Sequence, residues 1–396
     1  MSVLTPLLLA SAAVATGVYL LFFVSTLLHL RSRLTRPSPR SYPPLSLLKP
    51  LKGLEEDLEG CLESFFLQRY PGELELVFAA ASRDDPALAV ARRLSARHPA
   101  VRARFVLSDE NWGLNPKVAN LQGALAAATH DLVLQTDANV RADADYAAHI
   151  VDELLREGGS LLSSLVTGVG ERSLSAAMEN LQLSAYVAPA CCAALRVGGV
   201  PCVIGKSMLF RKSELRELGG LERVKDSLAE DFLLGRHYVE SGRKVLLSAT
   251  PIRNVNVHMP LERSLSRHAR WLKMRAVIHP ASFVGDIFVN PLALGLLALL
   301  SSGLELTHVV AFAALVVAKT CGDAYLVWRV RGVAMRPAYA LIVPIKDVLM
   351  FAVWVYASVS RSVVWRGIRF RMGPDSQLLP DEGPLPVRML RRLLSP

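Results

Sequence analysis

The chain has 396 residues, enough for a large α/β core with additional elements. Hydrophobic residues make up 52% of it and the mean hydropathy is +0.31, which excludes an ordinary soluble enzyme. The formal net charge of +10 favours anionic partners. The arginines lie beside apolar segments and aromatic residues are only 7%, so this charge indicates a membrane surface rather than nucleic acid.

The first apolar segment runs from Pro6 to Leu30 and is long enough to cross a bilayer. A secretory signal would begin with basic residues and have a shorter apolar core, whereas this segment begins without Lys or Arg. We therefore predict a membrane anchor over residues 1–30, followed by a Pro/Ser-rich linker over Pro37–Pro44. Under the positive-inside rule, four arginines place the chain after the anchor in the cytosol: Arg31, Arg33, Arg36 and Arg40.

Residues 45–279 alternate between predicted strands and helices. This rhythm indicates an α/β domain with a mostly parallel sheet and helices on both faces. The predicted strands are Leu45–Leu48, Leu74–Ala81, Arg104–Leu107 and Asp131–Thr136. The predicted helices are Asp57–Gln68, Pro86–Arg97 and Lys117–Ala128. In such a sheet the ligand binds at the carboxyl ends of the strands.

Three apolar segments follow this domain and predict a C-terminal membrane region over residues 287–361, before a basic tail over 362–396. The segments are Ile287–Gly303, Thr307–Trp328 and Ala338–Ser360. Four charged residues interrupt them, and charges at such depth usually face protein rather than lipid: Lys319, Asp323, Lys346 and Asp347. Lys319 and Asp323 share a helix face, so we expect them to pair.

Basic residues flank the third segment on both sides, and both groups have cytosolic character. They are Arg329, Arg331 and Arg336 before it, and Arg366, Arg369 and Arg371 after it. A single crossing cannot join two cytosolic groups. Either the last segment is re-entrant or interfacial, or the positive-inside rule fails for the tail.

Two acidic groups follow predicted strands. Asp84 and Asp85 could bind a ribose or base edge, or could cap the helix that begins at Pro86. Asp137 and Asn139 follow the strand Asp131–Thr136. Their oxygens suit Mg²⁺ or Mn²⁺ with donor phosphates, and the alternative is an Asx-turn.

Two further groups lie on predicted helices. Glu230 and Asp231 begin one, where acidic residues either oppose the helix dipole or supply a general base. Arg267 and Arg270 lie three residues apart on another, next to Trp271. They could clamp a diphosphate, or could belong to an amphipathic helix at the membrane surface.

The order and spacing of these groups resemble the ceramide glucosyltransferase family of lipid-directed GT-A glycosyltransferases, and are also similar to bacterial hopanoid-type glycosyltransferases. The resemblance covers nearly the whole chain. SLLKPLKG and NPK are fairly specific to the family, and RxxRW is shared more broadly. The residues that carry it are Ser46–Gly53 (SLLKPLKG), Asp84–Ala87 (DDPA), Asn115–Asn120 (NPKVAN), Asp137, Ala229–Asp231 and Arg267–Trp271 (RHARW).

The resemblance implies a GT-A, Rossmann-like fold and inverting transfer of glucose from UDP-glucose to ceramide. It implies that Asp231 is the catalytic base, and that Mg²⁺ or Mn²⁺ is bound at Asp137, for which Asn139 is the second ligand expected from the sequence. The implied donor-binding residues are Lys49, Asp84, Asp85, Lys117, Asp137, Arg267, Arg270 and Trp271.

Two positions depart from the family pattern. Ser82 stands where relatives often carry an acidic residue. Val187–Cys192 stands where eukaryotic ceramide enzymes have a His-containing stretch, and this departure bears on the acceptor. The alternative acceptors are a hopanoid, with N-acetylglucosamine or glucose as the sugar, and diacylglycerol. A processive polysaccharide synthase would need more membrane spans, and a non-catalytic scaffold would not need the whole acidic and basic set.

The mid-chain segment Leu181–Ile204 is apolar. It either lies against the bilayer and guides the lipid, or forms a core helix and strand. The high Ala, Leu and Arg usage favours a bacterial inner membrane over the Golgi, with the catalytic domain cytosolic in either case.

Overall fold

The computed structural model describes residues 4–32, 41–199, 201–360, 362–365 and 368–380. The first half of the predicted linker, the part of the predicted tail beyond residue 380, and Arg33, Arg36, Arg40 and Arg366 lie outside these ranges.

The described residues form one large sheet, one small sheet and fifteen helices. The helices are α1 Leu4–Leu30, α2 Leu58–Phe66, α3 Pro86–Arg97, α4 Pro116–Ala127, α5 Tyr146–Arg156, α6 Leu174–Gln182, α7 Ala188–Gly198, α8 Lys212–Glu217, α9 Glu230–Glu240, α10 Leu261–Ile278, α11 Pro280–Gly285, α12 Pro291–Ser301, α13 Leu306–Arg331, α14 Pro337–Ala340 and α15 Val343–Val359. The strands are β1 Leu45–Pro50, β2 Leu74–Ala80, β3 Arg102–Leu107, β4 Leu132–Thr136, β5 Val140–Arg141, β6 Leu161–Val169, β7 Ser207–Arg211, β8 Val245–Val255, β9 Ser362–Trp365, β10 Ile368–Met372 and β11 Leu378–Pro380.

The large sheet has the order β3-β2-β1-β4-β7-β6-β8-β5. Strands β3, β2, β1 and β4 are parallel, as the alternating sequence predicts. Strand β7 runs antiparallel to both β4 and β6, so the complete sheet is mixed. Because β6 again runs parallel to β4, the carboxyl ends of β1, β4, β6 and β8 share one edge.

The central strands are buried on both faces. Every residue of β1 and β4 is buried, which explains their unbroken apolar runs. One cluster of apolar side chains packs α2, α3 and α5 on one face, and a second packs α4 and α9 on the other. The predicted arrangement of helices on both faces is therefore confirmed.

Four described helices are long and apolar enough to cross a membrane: α1, α6 with α7, α13, and α14 with α15. The predicted segment Ile287–Gly303 is instead broken, because the residues before and after Asn290 form helices bent by 61°. Pro291 begins the second of these helices, and the residue before a proline is disfavoured in helical conformation.

A π-helical segment at Leu183–Val187 joins α6 to α7 without a break. More than half of the most apolar stretch of this continuous helix is buried within the protein, and Leu181, Ala188 and Cys192 pack against neighbouring elements. Of the two interpretations of Leu181–Ile204, the structure favours the core element, although it is helical up to Gly198 and no strand follows among the residues described as far as Ile204.

Residues on both sides of the last apolar segment contact the α/β domain. Arg331, at the end of α13, pairs with Glu171 beyond β6 at 3.0 Å. At the far end, Lys273 of α10 donates to the hydroxyl of Ser360 at 2.9 Å. Both sides of this segment therefore lie against the α/β domain, and a re-entrant or interfacial course stays a prediction.

Residues 362–365 and 368–380 of the predicted basic tail are folded. Strands β9, β10 and β11 form a small antiparallel sheet. It docks on the α/β domain because the Leu228 N–H donates to the Ser376 carbonyl at 3.0 Å.

The four charged residues of the apolar segments form one buried group. Lys319 Nζ lies 2.7 Å from Asp323 and 3.3 Å from Asp347, and Lys346 Nζ lies 2.8 Å from Asp347. The predicted pairing of Lys319 with Asp323 is confirmed, and the charges face protein.

Candidate active site

The centre of the site is Asp137, directly after β4. Lys117, in the first turn of α4, places its Nζ 3.0 Å from Oδ1, and Lys206 places its Nζ 2.9 Å from Oδ2. Lys206 is adjacent because β7 begins opposite the end of β4, with Thr136 paired to Ser207. Burial alone would raise the pKa of Asp137, but the two ammonium groups outweigh it and hold the pKa well below its usual value.

The predicted second metal ligand, Asn139, faces the same lysine. Its Oδ1 accepts a hydrogen bond from Lys206 Nζ at 2.8 Å. One ammonium group therefore contacts an oxygen from each predicted metal ligand.

Lys117 links Asp137 to the acidic pair at the start of α9. Its Nζ lies 2.9 Å from Glu230, which is buried. Burial, reinforced by the neighbouring Asp231, raises the pKa of Glu230 although Lys117 opposes the shift. Asp231 is only half-buried, and its Oδ2 accepts the Gly205 N–H at 2.6 Å.

Gly205 lies between the cation and the predicted base. A Cβ at this position would come within 2.8 Å of Lys117 Nζ and 3.0 Å of Asp231 Oδ2. A larger residue here would therefore have to displace the end of the Lys117 or Asp231 side chain.

Two predicted donor-binding residues, Lys49 and Asp85, hold the backbone near the site. Lys49 is fully buried, donates to the Asp137 carbonyl at 2.9 Å, and lies 3.4 Å from the centre of the Phe65 ring. In this structure Lys49 has no exposed surface and holds the Asp137 backbone, and its contact with the donor stays a prediction. Asp85 caps α3 by accepting the Ala87 N–H at 2.9 Å, and it also accepts the Gly53 N–H at 3.0 Å.

Asp84, next to this cap, is exposed. The capping interpretation is thus correct for Asp85, and contact of either carboxylate with a nucleotide stays a prediction.

The RxxRW segment lies on α10, as the spacing of its arginines predicts. Arg267 does not point freely into a cleft, because its guanidinium pairs with the buried Glu179 of α6 at 2.8 Å. Glu179 also accepts from Ser264 at 2.5 Å and pairs with His268 at 2.9 Å.

The two remaining members of the segment are half-buried. Trp271 meets the His268 ring edge-on, with the ring centres 5.2 Å apart, and packs on the core. Arg270 lies on the same helix.

Sequence reasoning missed two residues of this region. Lys206 carried one available signal, a cation immediately before the apolar run that forms β7. Glu179 carried a weaker one, an acidic residue in an otherwise apolar stretch that must bury a charge.

A divalent cation would have few protein ligands here. Within the described ranges, no three His, Cys, Asp or Glu side chains are grouped as metal ligands. Asp137 and Asn139 offer one carboxylate and one amide oxygen. This set fits an ion that takes most of its ligands from water and substrate phosphates, as Mg²⁺ commonly does.

The fold is that of a GT-A glycosyltransferase. It is similar to the structure of mannosyltransferase PcManGT from Pyrobaculum calidifontis in complex with GDP-Man and Mn²⁺, with a TM-score of 0.54, 20% identity, and coverage of 90% of this chain and 98% of that one.

The chain belongs to glycosyl transferase family 21, whose profile matches residues 7–378. It is 29% identical over 265 residues to ceramide glucosyltransferase 1 of Caenorhabditis elegans, covering 66% of this chain and 56% of the relative. It is 28% identical over 246 residues to ceramide glucosyltransferase 3 of the same organism, covering 61% and 52%. The chain thus spans about half the length of these curated relatives, and the predicted family resemblance is confirmed.

Proposed function

We propose that this protein transfers glucose from UDP-glucose to the hydroxyl of ceramide, with inversion at the anomeric carbon. The observation that carries the proposal is an accessible carboxylate, Asp231, placed beside a cluster of lysines at the carboxyl edge of a GT-A sheet. The ceramide glucosyltransferase names of the relatives support the choice of sugar and acceptor.

Asp231 is the better base of the acidic pair. Glu230 is buried and engaged by Lys117, whereas Asp231 is half-exposed. The two Asp231 oxygens accept the N–H groups of Gly205 and Phe232, at 2.6 and 2.8 Å. These bonds orient the carboxylate, and each oxygen retains a lone pair that can accept the proton of an acceptor hydroxyl.

The departing diphosphate needs positive charge. Lys117 and Lys206 flank Asp137, and Arg267 is close enough to Lys206 to contribute to the lowering of its pKa, which burial dominates. Cations that already lie in a partly buried site when the donor is bound stabilise the negative charge that develops during transfer. With a single base and one displacement, an α-linked UDP-sugar gives a β-glycoside.

A divalent cation, Mg²⁺ or Mn²⁺, is part of the proposal, with Asp137 and Asn139 as its protein ligands. When bound, it would add to the positive charge that the lysines supply at the diphosphate.

A lipid acceptor agrees with the position of α10. This helix carries Arg267–Trp271 and packs along the apolar helix α15, to which it is tied by Lys273 and Ser360. The site is therefore next to the elements that would enter the membrane. We place the protein in a membrane with its catalytic domain on the cytosolic side, in a bacterial inner membrane rather than the Golgi.

The test is a transfer assay in detergent or liposomes with UDP-glucose, ceramide and Mg²⁺ or Mn²⁺. We expect β-glucosylceramide, a large loss with EDTA, and a loss of several orders of magnitude in kcat for Asp231→Asn with UDP binding retained. Glu222→Gln, an exposed carboxylate on the same domain, is the control. An α-linked product, or near-normal turnover by Asp231→Asn, would refute the mechanism.

The alternatives are separated in the same assay. Hopanoid and diacylglycerol acceptors, with UDP-N-acetylglucosamine as a second donor, replace ceramide in parallel reactions. Product only with one of these keeps the reaction type and corrects the substrate. A polymeric product would indicate a processive synthase, and absence of any donor turnover would indicate a scaffold.

A further inference from the structure

We propose that Lys206 is an internal cation that occupies the divalent-metal position and keeps metal out until the donor diphosphate arrives. This proposal rests on the proposed function, because it assigns a regulation to the same site.

The first support is geometric. Lys206 Nζ lies 2.9 Å from Asp137 Oδ2 and 2.8 Å from Asn139 Oδ1. These two side chains are the only protein ligands proposed for the metal. The lysine ammonium that contacts both oxygens takes the place of a bound cation. A metal ion could not bind both oxygens while the ammonium remains between them.

The second support is the charge count at the contacts. Lys117 and Lys206 offset the two carboxylates that they touch, Asp137 and Glu230. Asp231 also acts on Lys117, but a divalent ion would still leave excess positive charge in a site where the lysine side chains are less than one-fifth exposed. A donor diphosphate brings the negative charge that cancels this excess, so metal and donor should enter together.

The third support is the way Lys206 is positioned. Its backbone carbonyl accepts the Asp137 N–H at 3.3 Å, so the two residues are adjacent across the junction of β4 and β7. The side chain is tethered beside Asp137 and can turn from the carboxylate to a bound diphosphate while its backbone stays in place.

The experiment measures Mn²⁺ binding to the full chain in detergent without nucleotide, by the electron paramagnetic resonance signal of free Mn²⁺. Lys206→Met removes the ammonium, and Lys206→Gln removes the charge but keeps a hydrogen-bond donor in case the first variant does not fold. Lys244→Met is the matched control, since Lys244 is half-exposed and lies at the amino end of β8, whereas the site lies at the carboxyl edge of the sheet.

We expect both Lys206 variants to bind Mn²⁺ at least tenfold more tightly than the wild type, and Lys244→Met to match the wild type. Adding Asp137→Asn to Lys206→Gln should abolish the gain, which would locate the ion. Equal Mn²⁺ affinity in the wild type and a folded Lys206 variant would overturn the proposal, as would a gain that persists in the double variant. This readout involves no acceptor and no transfer, so failure to form glucosylceramide leaves it unaffected.

Discussion

Glu179→Gln should loosen α10 from the domain, because Glu179 is the fully buried anchor of three side chains on that helix. One carboxylate oxygen accepts from Arg267, and the other contacts Ser264 and His268. Glutamine has the same shape, but one of its two terminal atoms is a donor. In either orientation, an N–H₂ group faces a donor that the carboxylate had satisfied.

The magnitude follows from this geometry. If the amide oxygen stays with Ser264 and His268, the Arg267 pair is lost and a guanidinium that is only 12% exposed is left without its carboxylate. Breaking a buried pair from one side costs about 3–5 kcal/mol. We therefore expect the free energy of unfolding to fall by about 3 kcal/mol. At the ratio typical of domains of about 150–250 residues, this corresponds to a fall in Tm of about 6–12 °C.

The assay is thermal unfolding in detergent, followed by initial rates of transfer. Activity should fall with stability, since α10 carries Arg270 and Trp271. Glu262→Gln, an exposed substitution in the first turn of the same helix, should leave both unchanged. A Glu179→Gln protein that melts within about 1 °C of the wild type would refute the anchoring role.

Three further predictions concern other parts of the molecule. The depressed pKa of Asp137 means that its ionisation stabilises the fold above about pH 4 and that this stability is lost as the pH falls through the folded-state pKa. Tm measured against pH should thus fall less steeply below pH 4 for Asp137→Asn, and a parallel curve would contradict this. Lys319→Met should lower the free energy of unfolding by about 3–5 kcal/mol, because it leaves Asp323 without its nearest cation. In a double-mutant cycle, Lys319→Met/Asp323→Leu should lose less than the sum of the two single variants, and additive losses would argue against the pairing. Asp85→Ala should lower the free energy of unfolding by about 1–2 kcal/mol by removing the cap of α3, and should raise KM for the donor. Asp84→Ala, at an exposed position, should leave stability unchanged, and equal Tm values for the two variants would exclude the cap.

The elements of the α/β domain from β1 to β4 were predictable because their signals are local. An apolar run such as that of β4 identifies a strand buried on both faces, and the Asp85-Pro86 pair identifies a helix start. The carboxyl ends of the strands then predict where ligands bind, and Asp137 is a candidate because it follows β4 directly. Asp231 was assigned as the base from its resemblance to a family, because the local pattern alone favoured a helix start over a general base.

Contacts between distant segments were decided by tertiary structure alone. Lys206 meets Asp137 because β7 pairs antiparallel with β4, and no local periodicity encodes that choice of partner. Lys49 is buried because β1 is central and covered on both faces.

The amino-acid sequence by itself determined the membrane-associated α/β class, the strands and helices from β1 to β4 and the acidic and basic candidates, since hydrophobic periodicity and capping act over a few residues. The tertiary structure decided which of these charges neutralise one another. It paired Arg267 with Glu179 and placed Lys206 on the two expected metal ligands. The physical reason is that an unpaired buried charge costs much free energy, and the fold decides which opposite charge lies within about 3 Å of it.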